Sequence, residues 1–274
     1  MAKFEGSEYL RELRTAFRAA EDAGDMIEDY AENGFETGSK EDGSKVTEAD
    51  RRSQEKIVEI ISEEFPDDGF LGEEQNLRPD GEDRVWVIDP VDGTFNFDHG
   101  FSHYCVSIAL KVDGEVVVGL VYSPEFSLDR SYFALKDAGA YALDSGKLSD
   151  AGAITVSSHD SIEDSLFFLT LFDIYEGELE AEMDILEELA RRDAVHRQLG
   201  SCALEMCRVA AGEADFAVNA IVTEWDWAAA KLIIEEAGGE VRVRDSKFPD
   251  STEVVSSNGV LQEEVEEIVS NSFR

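Results

Sequence analysis

The stretch Trp86-Val87-Ile88-Asp89-Pro90-Val91-Asp92-Gly93-Thr94 holds the residue types and spacing best suited to chemistry. An apolar strand runs into Asp89, Pro90 fixes a turn, and Asp92 follows three residues later. Two carboxylates and the Val91 carbonyl between them can therefore converge on one point. An all-oxygen set suits a hard cation, since magnesium takes oxygen ligands in near-octahedral array and keeps positions for water and phosphate. Gly93 permits close backbone approach, and if Gly93 and Thr94 open a helix, their free N–H groups make a phosphate site. On these residues alone an ordinary Asx turn at a strand end stays open, because Asp is frequent in turns.

Two other segments favour a site. Gly72-Glu73-Glu74 follows the apolar pair Phe70-Leu71, and Asp226 stands between Trp225 and Trp227 at the start of a helix that ends at Gly238-Gly239. A solvated face explains glutamates anywhere. It does not explain an Asp between two tryptophans, where burial without a partner is costly.

The elements that must hold these residues can be read from periodicity. Leu10, Leu13, Phe17, Ala20 and Ala23 recur at three- and four-residue steps, which predicts a helix over 9–30. Residues 32–45 are polar and rich in Gly and Ser, hence a loop. Thr47 can cap a second helix running to Phe65, which Pro66 ends. Strands are predicted over 84–88, 104–112, 115–122 and 131–135, with Asp113-Gly114 as a hairpin turn, so this half is α+β with an antiparallel sheet. Beyond about Ser149, strands at 154–157, 166–171, 216–218 and 240–243 alternate with helices at 178–192, 201–211 and 225–237, an α/β pattern. Two subdomains are expected: 1–149 carrying most of the acidic constellation, and 150–274 carrying Asp226 and substrate contacts. Their shared cleft is where chemistry belongs.

Composition sets the surroundings. The 274 residues, 43% of them apolar, are enough to bury a substantial core. Acidic residues number 62 against 24 basic, a formal charge of −38 that repels itself strongly at low ionic strength. The Debye length falls from about 10 Å at 0.1 M salt to about 3 Å at 1 M, so the expected setting is a halophilic cytoplasm. The acids are spread from Glu5 to Glu267, a surface property rather than a disordered tail. The sign of the charge opposes nucleic-acid binding. Cys105, Cys202 and Cys207 have no metal-type spacing and read as small buried hydrophobes in a reducing compartment. His99, His103, His159 and His196 likewise read as surface or packing residues. No segment approaches the ~18 apolar residues of a membrane span and the start carries no signal-peptide stretch, so the expectation is a soluble cytoplasmic protein without a membrane partner.

The set Gly72-Glu73-Glu74, Asp89-Pro90-Val91-Asp92-Gly93-Thr94, Gly200-Ser201 and Trp225-Asp226 with Ala237-Gly238-Gly239 resembles the inositol monophosphatase family of lithium-sensitive phosphatases, in order and across nearly the whole chain. The resemblance implies a layered α/β/α/β/α sandwich, a homodimer, and two or three Mg2+ ions per active site. Glu73, Asp89 and the Val91 carbonyl would hold one ion, and Asp89, Asp92 and Asp226 a second. Asp50 would bond Thr94, and that pair with Glu73 would orient and deprotonate the attacking water. As a plain helix-dipole partner, Asp50 would sit in the same place. Gly93, Thr94, Gly200, Ser201 and Cys202 would contact the substrate, a small-molecule phosphate ester. The loop 34–45, with Lys40 and Lys45, would close over it, although a merely solvated loop has the same composition.

The match departs at two positions. Asn219 stands where the animal enzymes have a glutamate that reads inositol hydroxyls, and Phe95 replaces a small polar residue. Archaeal members of the family act on both inositol 1-phosphate and fructose 1,6-bisphosphate, and Arg191, Arg192 and Arg197 offer cations for a second phosphate or for a helix C-terminus. Magnesium-dependent hydrolysis of such esters is therefore the expected activity. A 3′-phosphoadenosine nucleotide phosphatase and a non-catalytic binder of divalent cations are the alternatives.

Overall fold

The computed structural model describes residues 3–33, 37–39, 45–74, 77–171, 178–247 and 251–272. The helices are α1 (Leu10–Asn33), α2 (Glu48–Glu64), α3 (Thr94–Asp98), α4 (Glu178–Arg191), α5 (Cys202–Ala210), α6 (Glu224–Glu236) and α7 (Gln262–Ser272). The strands are β1 (Thr37–Ser39), β2 (Lys45–Thr47), β3 (Gly69–Gly72), β4 (Arg84–Asp92), β5 (Cys105–Val112), β6 (Glu115–Ser123), β7 (Arg130–Leu135), β8 (Ala140–Asp144), β9 (Gly152–Ala153), β10 (Leu166–Leu169), β11 (Val195–Arg197), β12 (Phe216–Val222), β13 (Glu240–Asp245) and β14 (Thr252–Ser257). A seven-stranded sheet runs β3 to β9 in sequence order, and a five-stranded sheet has the order β11-β10-β12-β14-β13.

The layers follow from strand alternation. Trp86 and Ile88 of β4 and Ile108 and Leu110 of β5 face α1 and α2, where they meet Leu13, Phe17, Ile57 and Ile61. Val87 and Ala109 point the opposite way, into a second core shared with Ala203 and Met206 of α5, Ala229 and Ile233 of α6, and Ala217 and Val254 of the other sheet. The third core lies between that sheet and the outer helices, where Phe167, Phe216 and Val255 meet Ile185, Leu189, Val265 and Val269. The result is the α/β/α/β/α sandwich. Helix α6 is buried on most of its circumference because sheets cover it on both sides. It lies close against β6, since a Cβ on Gly119 would sit 2.5 Å from the Ala229 carbonyl oxygen.

Several expectations shift. The seven-stranded sheet is mixed, because β3 runs parallel to β4. Residues 154–157 form no strand: Ile154 N–H bonds the Ala140 carbonyl and Val156 N–H the Ala237 carbonyl, so this piece spans between elements with isolated bonds instead of a ladder. In the expected loop at 32–45, α1 continues to Asn33 and β1 pairs antiparallel with β2, Thr37 opposite Thr47. Lys40 lies outside the described residues, as does the side chain of Lys45. Strands β8 and β14 and helix α7 were not anticipated from periodicity.

Candidate active site

A β-bulge places the two aspartates of β4. Asp89 lies opposite Ser107 and Asp92 opposite Cys105, so three steps on β4 cover two on β5. In a regular strand residues three apart face opposite sides; the extra residue at Pro90-Val91 brings both carboxylates to the face covered by α5 and α6. Pro90 has no N–H to offer the ladder and suits the break. Val91 N–H bonds back to Asp89 Oδ1 at 2.9 Å. Gly93 then adopts φ +98°, where a Cβ would lie 2.9 Å from the His103 carbonyl oxygen, and α3 begins at Thr94.

The Thr94 hydroxyl faces Asp50 Oδ1 at 2.9 Å and the Val91 carbonyl at 3.0 Å. Asp50 is fully buried in the first turn of α2. One turn further along α2, Gln54 brackets Glu74: its Nε2 donates to the Glu74 carbonyl and its Oε1 accepts the Glu74 N–H. Glu73 N–H extends the β3–β4 pairing by bonding the Ile88 carbonyl, which sets Glu73 beside Asp89. Burial, then the charge of Glu73, then those of Asp92 and Asp226, push the Asp89 carboxyl well above its ordinary range, and Asp89 and Glu73 share a hydrogen bond. Four carboxylates thus act on one buried point.

Asp92 is gripped by the start of α5. Its Oδ2 accepts from Ser201 Oγ at 2.6 Å and Ala203 N at 2.7 Å, and its Oδ1 from Cys202 N at 3.2 Å. Burial still raises its carboxyl to about 6 against those three donors. Asp226 Oδ2 closes a capping box with Thr223, accepting from its N–H at 2.6 Å and its hydroxyl at 2.9 Å. Among the described residues no group of three or more His, Cys, Asp or Glu side chains is placed to hold a metal ion as the site stands. The donor chemistry nevertheless fits a divalent cation: the groups are hard oxygens, and repulsion among them is what a cation would relieve.

The model of the inositol monophosphatase family matches residues 9–273. The chain belongs to this family. A histidinol-phosphatase of Chlorobaculum parvum is 36% identical over 268 residues, 96% of this chain and 98% of the relative. A fructose-1,6-bisphosphatase/inositol-1-monophosphatase of Thermotoga maritima is 34% identical over 226 residues, 82% of each. Among solved structures, an IMPase of Thermotoga maritima superimposes with a TM-score of 0.83 at 29% identity, covering 96% of this chain and 98% of that one. Like these relatives, the protein is a phosphoric monoester hydrolase.

Against the family's pattern, Glu73 and Asp89 meet directly, whereas Asp92 and Asp226 reach Asp89 through charge while their oxygens serve helix starts. Gly200 and Ser201 lie at the start of α5, and the Cys202 N–H is used on Asp92, with its thiol beside Met206. Asn219 is buried on β12, and its Nδ2 has no hydrogen-bond partner among the described residues. Arg191 pairs with Glu187, and Arg192 with Glu188 and Glu264 on α7, so both are already committed to carboxylates. Arg197 makes no ion pair among the described residues and bonds only the neighbouring His196 carbonyl. Phe95 is exposed and stacks on His99 at 4.2 Å between ring centroids.

Sequence reasoning missed Gln54, Asn96 and Glu205. Asn96 Nδ2 ties α3 to the α5 approach by donating to the His103 and Leu199 carbonyls, both at 2.7 Å. Among the described residues no helix is long and apolar enough to cross a membrane.

Proposed function

We propose that the protein hydrolyses small phosphate monoesters with magnesium, with fructose 1,6-bisphosphate and inositol 1-phosphate as its substrates. The observation that carries this reading is the Asp50–Thr94 bond together with the hydrogen-bonded Glu73–Asp89 pair. The Thr94 hydroxyl donates to Asp50, and its free lone pair accepts a hydrogen bond from water and aims the water oxygen at phosphorus. Glu73, as the base, takes one proton from that water as its oxygen attacks phosphorus. The N–H groups at the start of α3 face the phosphate oxygens, and Gly93 lets the backbone come close. Glu73, Asp89, the Val91 carbonyl, Asp92 and Asp226 are the groups that would hold magnesium, which when bound neutralises the dianionic phosphate, activates water and stabilises the leaving alkoxide. Asn219 gives the leaving group a neutral donor and acceptor where a glutamate would favour hydroxyls. The net charge of −38 opposes contact with a nucleic-acid backbone. The two sheets support two subdomains that part just beyond Ala153, since β9 (Gly152–Ala153) still belongs to the first sheet, a few residues past the expected boundary of 149/150, and the family relationship supports a homodimer.

The test is phosphate release from fructose 1,6-bisphosphate, inositol 1-phosphate and histidinol phosphate in molar KCl, with and without magnesium. Turnover should require magnesium, and Asp89→Asn should lose at least about 10²-fold in kcat while keeping its thermal midpoint in high salt. Near-normal turnover by that variant at saturating magnesium would refute the ligand assignment.

A further inference from the structure

Glu205 is fully buried in the first turn of α5, and its carboxylate reaches back across the helix start. Its Oε1 accepts the Leu199 N–H at 2.6 Å and the Gly200 N–H at 3.0 Å, and the Thr170 hydroxyl faces its Oε2 at 3.4 Å. This placement carries a cost, because burial pushes the carboxyl up to about 7 in spite of three donors, with the Asp92 charge adding to the rise. A buried acid in a chain with so many surface acids calls for a local reason, and the turn it grips supplies one.

Gly200 sits at φ +78°, and a Cβ on Gly93 would lie 3.3 Å from its carbonyl oxygen, so the turn packs against the backbone that precedes Thr94. Asn96 holds the Leu199 carbonyl from the other side. Directly after the turn come the Ser201 hydroxyl and the Cys202 and Ala203 N–H groups that grip Asp92. N–H groups on one side and a carbonyl on the other are thus fixed by side chains from α5 and α3, and the direction of the α5 start is set by both.

We propose that Glu205 is a positioning residue for hydrolysis: by accepting the Leu199 and Gly200 N–H groups it fixes the turn that aligns the α5 start with Asp92 and the reacting phosphate. This rests on the phosphatase reading above. A buried carboxylate is used because one oxygen takes two N–H donors at once, and bonds to a charged acceptor are about twice as strong as neutral ones. Glutamine retains an oxygen for both N–H groups and turns its amide nitrogen to Thr170, which can accept.

The experiment compares wild type, Glu205→Gln and Glu205→Ala in molar KCl by kcat, KM and residue-level amide hydrogen exchange. Glu205→Ala should lower kcat about tenfold or more with a smaller change in KM. Exchange at the Leu199 and Gly200 amides should quicken by about tenfold or more while the amides of β12 keep their protection. Glu205→Gln should restore kcat to within about twofold of wild type. The inference is overturned if folded Glu205→Ala keeps wild-type kcat, if Glu205→Gln is as impaired as Glu205→Ala, or if exchange rises uniformly across the protein. Should Glu205→Ala fail to fold, Glu205→Asp takes its place, one methylene too short to span the turn; equal kcat for Asp, Gln and wild type then overturns the inference. A wild type that releases no phosphate from any substrate would instead count against the phosphatase reading, and the exchange pattern would still report on the turn.

Discussion

The side-chain amide of Gln54 bonds both backbone groups of Glu74, its Nε2 2.6 Å from the carbonyl oxygen and its Oε1 2.9 Å from the nitrogen. A neutral side-chain amide can donate and accept at once in this way, which a carboxylate cannot. Because Gln54 lies one turn beyond Asp50, a single helix sets both the acid that meets Thr94 and the strand end that carries Glu73. Gly72 completes the fit, since a Cβ there would come within 2.4 Å of Gln54 Oε1.

Replacing Gln54 therefore loosens Glu73 without touching substrate. Ionised Gln54→Glu keeps the acceptor, loses the donor and leaves the buried Glu74 carbonyl facing a charge, a loss of roughly 1–3 kcal/mol. The expected outcome is a fall in kcat of about tenfold and a weaker apparent magnesium affinity, with Asp50 and Thr94 still paired. A magnesium titration of activity beside wild type checks it, and an unchanged curve would mean that the strand end holds itself.

Thr94→Ala and Asp50→Asn should each lower kcat far more than they raise KM, by about 10²-fold or more, if the pair orients the attacking water as proposed. The two side chains work as one unit, so the double variant should be little worse than either single one. Thr94→Ser keeps the hydroxyl and should retain most turnover. Steady-state kinetics on the four proteins decide this, and additive losses would separate the two roles.

How much of this was legible in the sequence depends on chain distance. Asp89, Val91, Asp92 and Thr94 were readable because their relation is local, fixed by one strand end, a proline and a glycine. The bulge that turns Asp92 to the same face as Asp89 was not readable, since it depends on the pairing with β5. Gln54, Asn96 and Glu205 look like ordinary surface residues until the fold brings them to partners 20, 103 and 6 residues away. The arginines at 191 and 192 stayed open in the sequence between a second phosphate and a helix end, and helical i,i+4 geometry gives them to Glu187 and Glu188 at the end of α4. Strand β14 (TEVVSS) was missed because its polar ends hide a short apolar centre, which becomes plain only between β12 and β13.

Stability should carry a pH signature of Glu205. Its folded carboxyl is raised to about 7 from an ordinary 4.5, so the folded state binds the proton more tightly than the unfolded chain. The stability this contributes is complete below about 4.5 and is lost as pH rises through about 7. Glu205→Gln removes that dependence, so its thermal midpoint should exceed that of wild type at pH 8 and approach it at pH 5. Thermal melts in molar KCl measure the difference directly, and a gap that does not vary with pH would contradict the assigned shift.

Salt should govern folding through the surface charge. Lowering KCl from molar to about 0.05 M lengthens the screening distance beyond about 10 Å, so carboxylates across the surface repel one another. The thermal midpoint should fall steeply and activity with it. A flat midpoint over that range would show that the charge of −38 is balanced in some other way.

Arg197 is the remaining candidate for a second phosphate. It lies on β11, three residues before Gly200, and makes no ion pair among the described residues, whereas Arg191 and Arg192 are occupied. A charge-assisted contact is worth about 1.5–3 kcal/mol, roughly 10- to 100-fold in kcat/KM. With neutral Asn219 giving inositol no carboxylate to bind, fructose 1,6-bisphosphate should be hydrolysed at least as efficiently as inositol 1-phosphate. Arg197→Ala should then reduce kcat/KM for the bisphosphate by about tenfold and leave the monophosphate nearly unchanged, while Arg191→Ala alters neither. Equal losses on both substrates would place Arg197 in general binding, and no loss on either would remove it from the site.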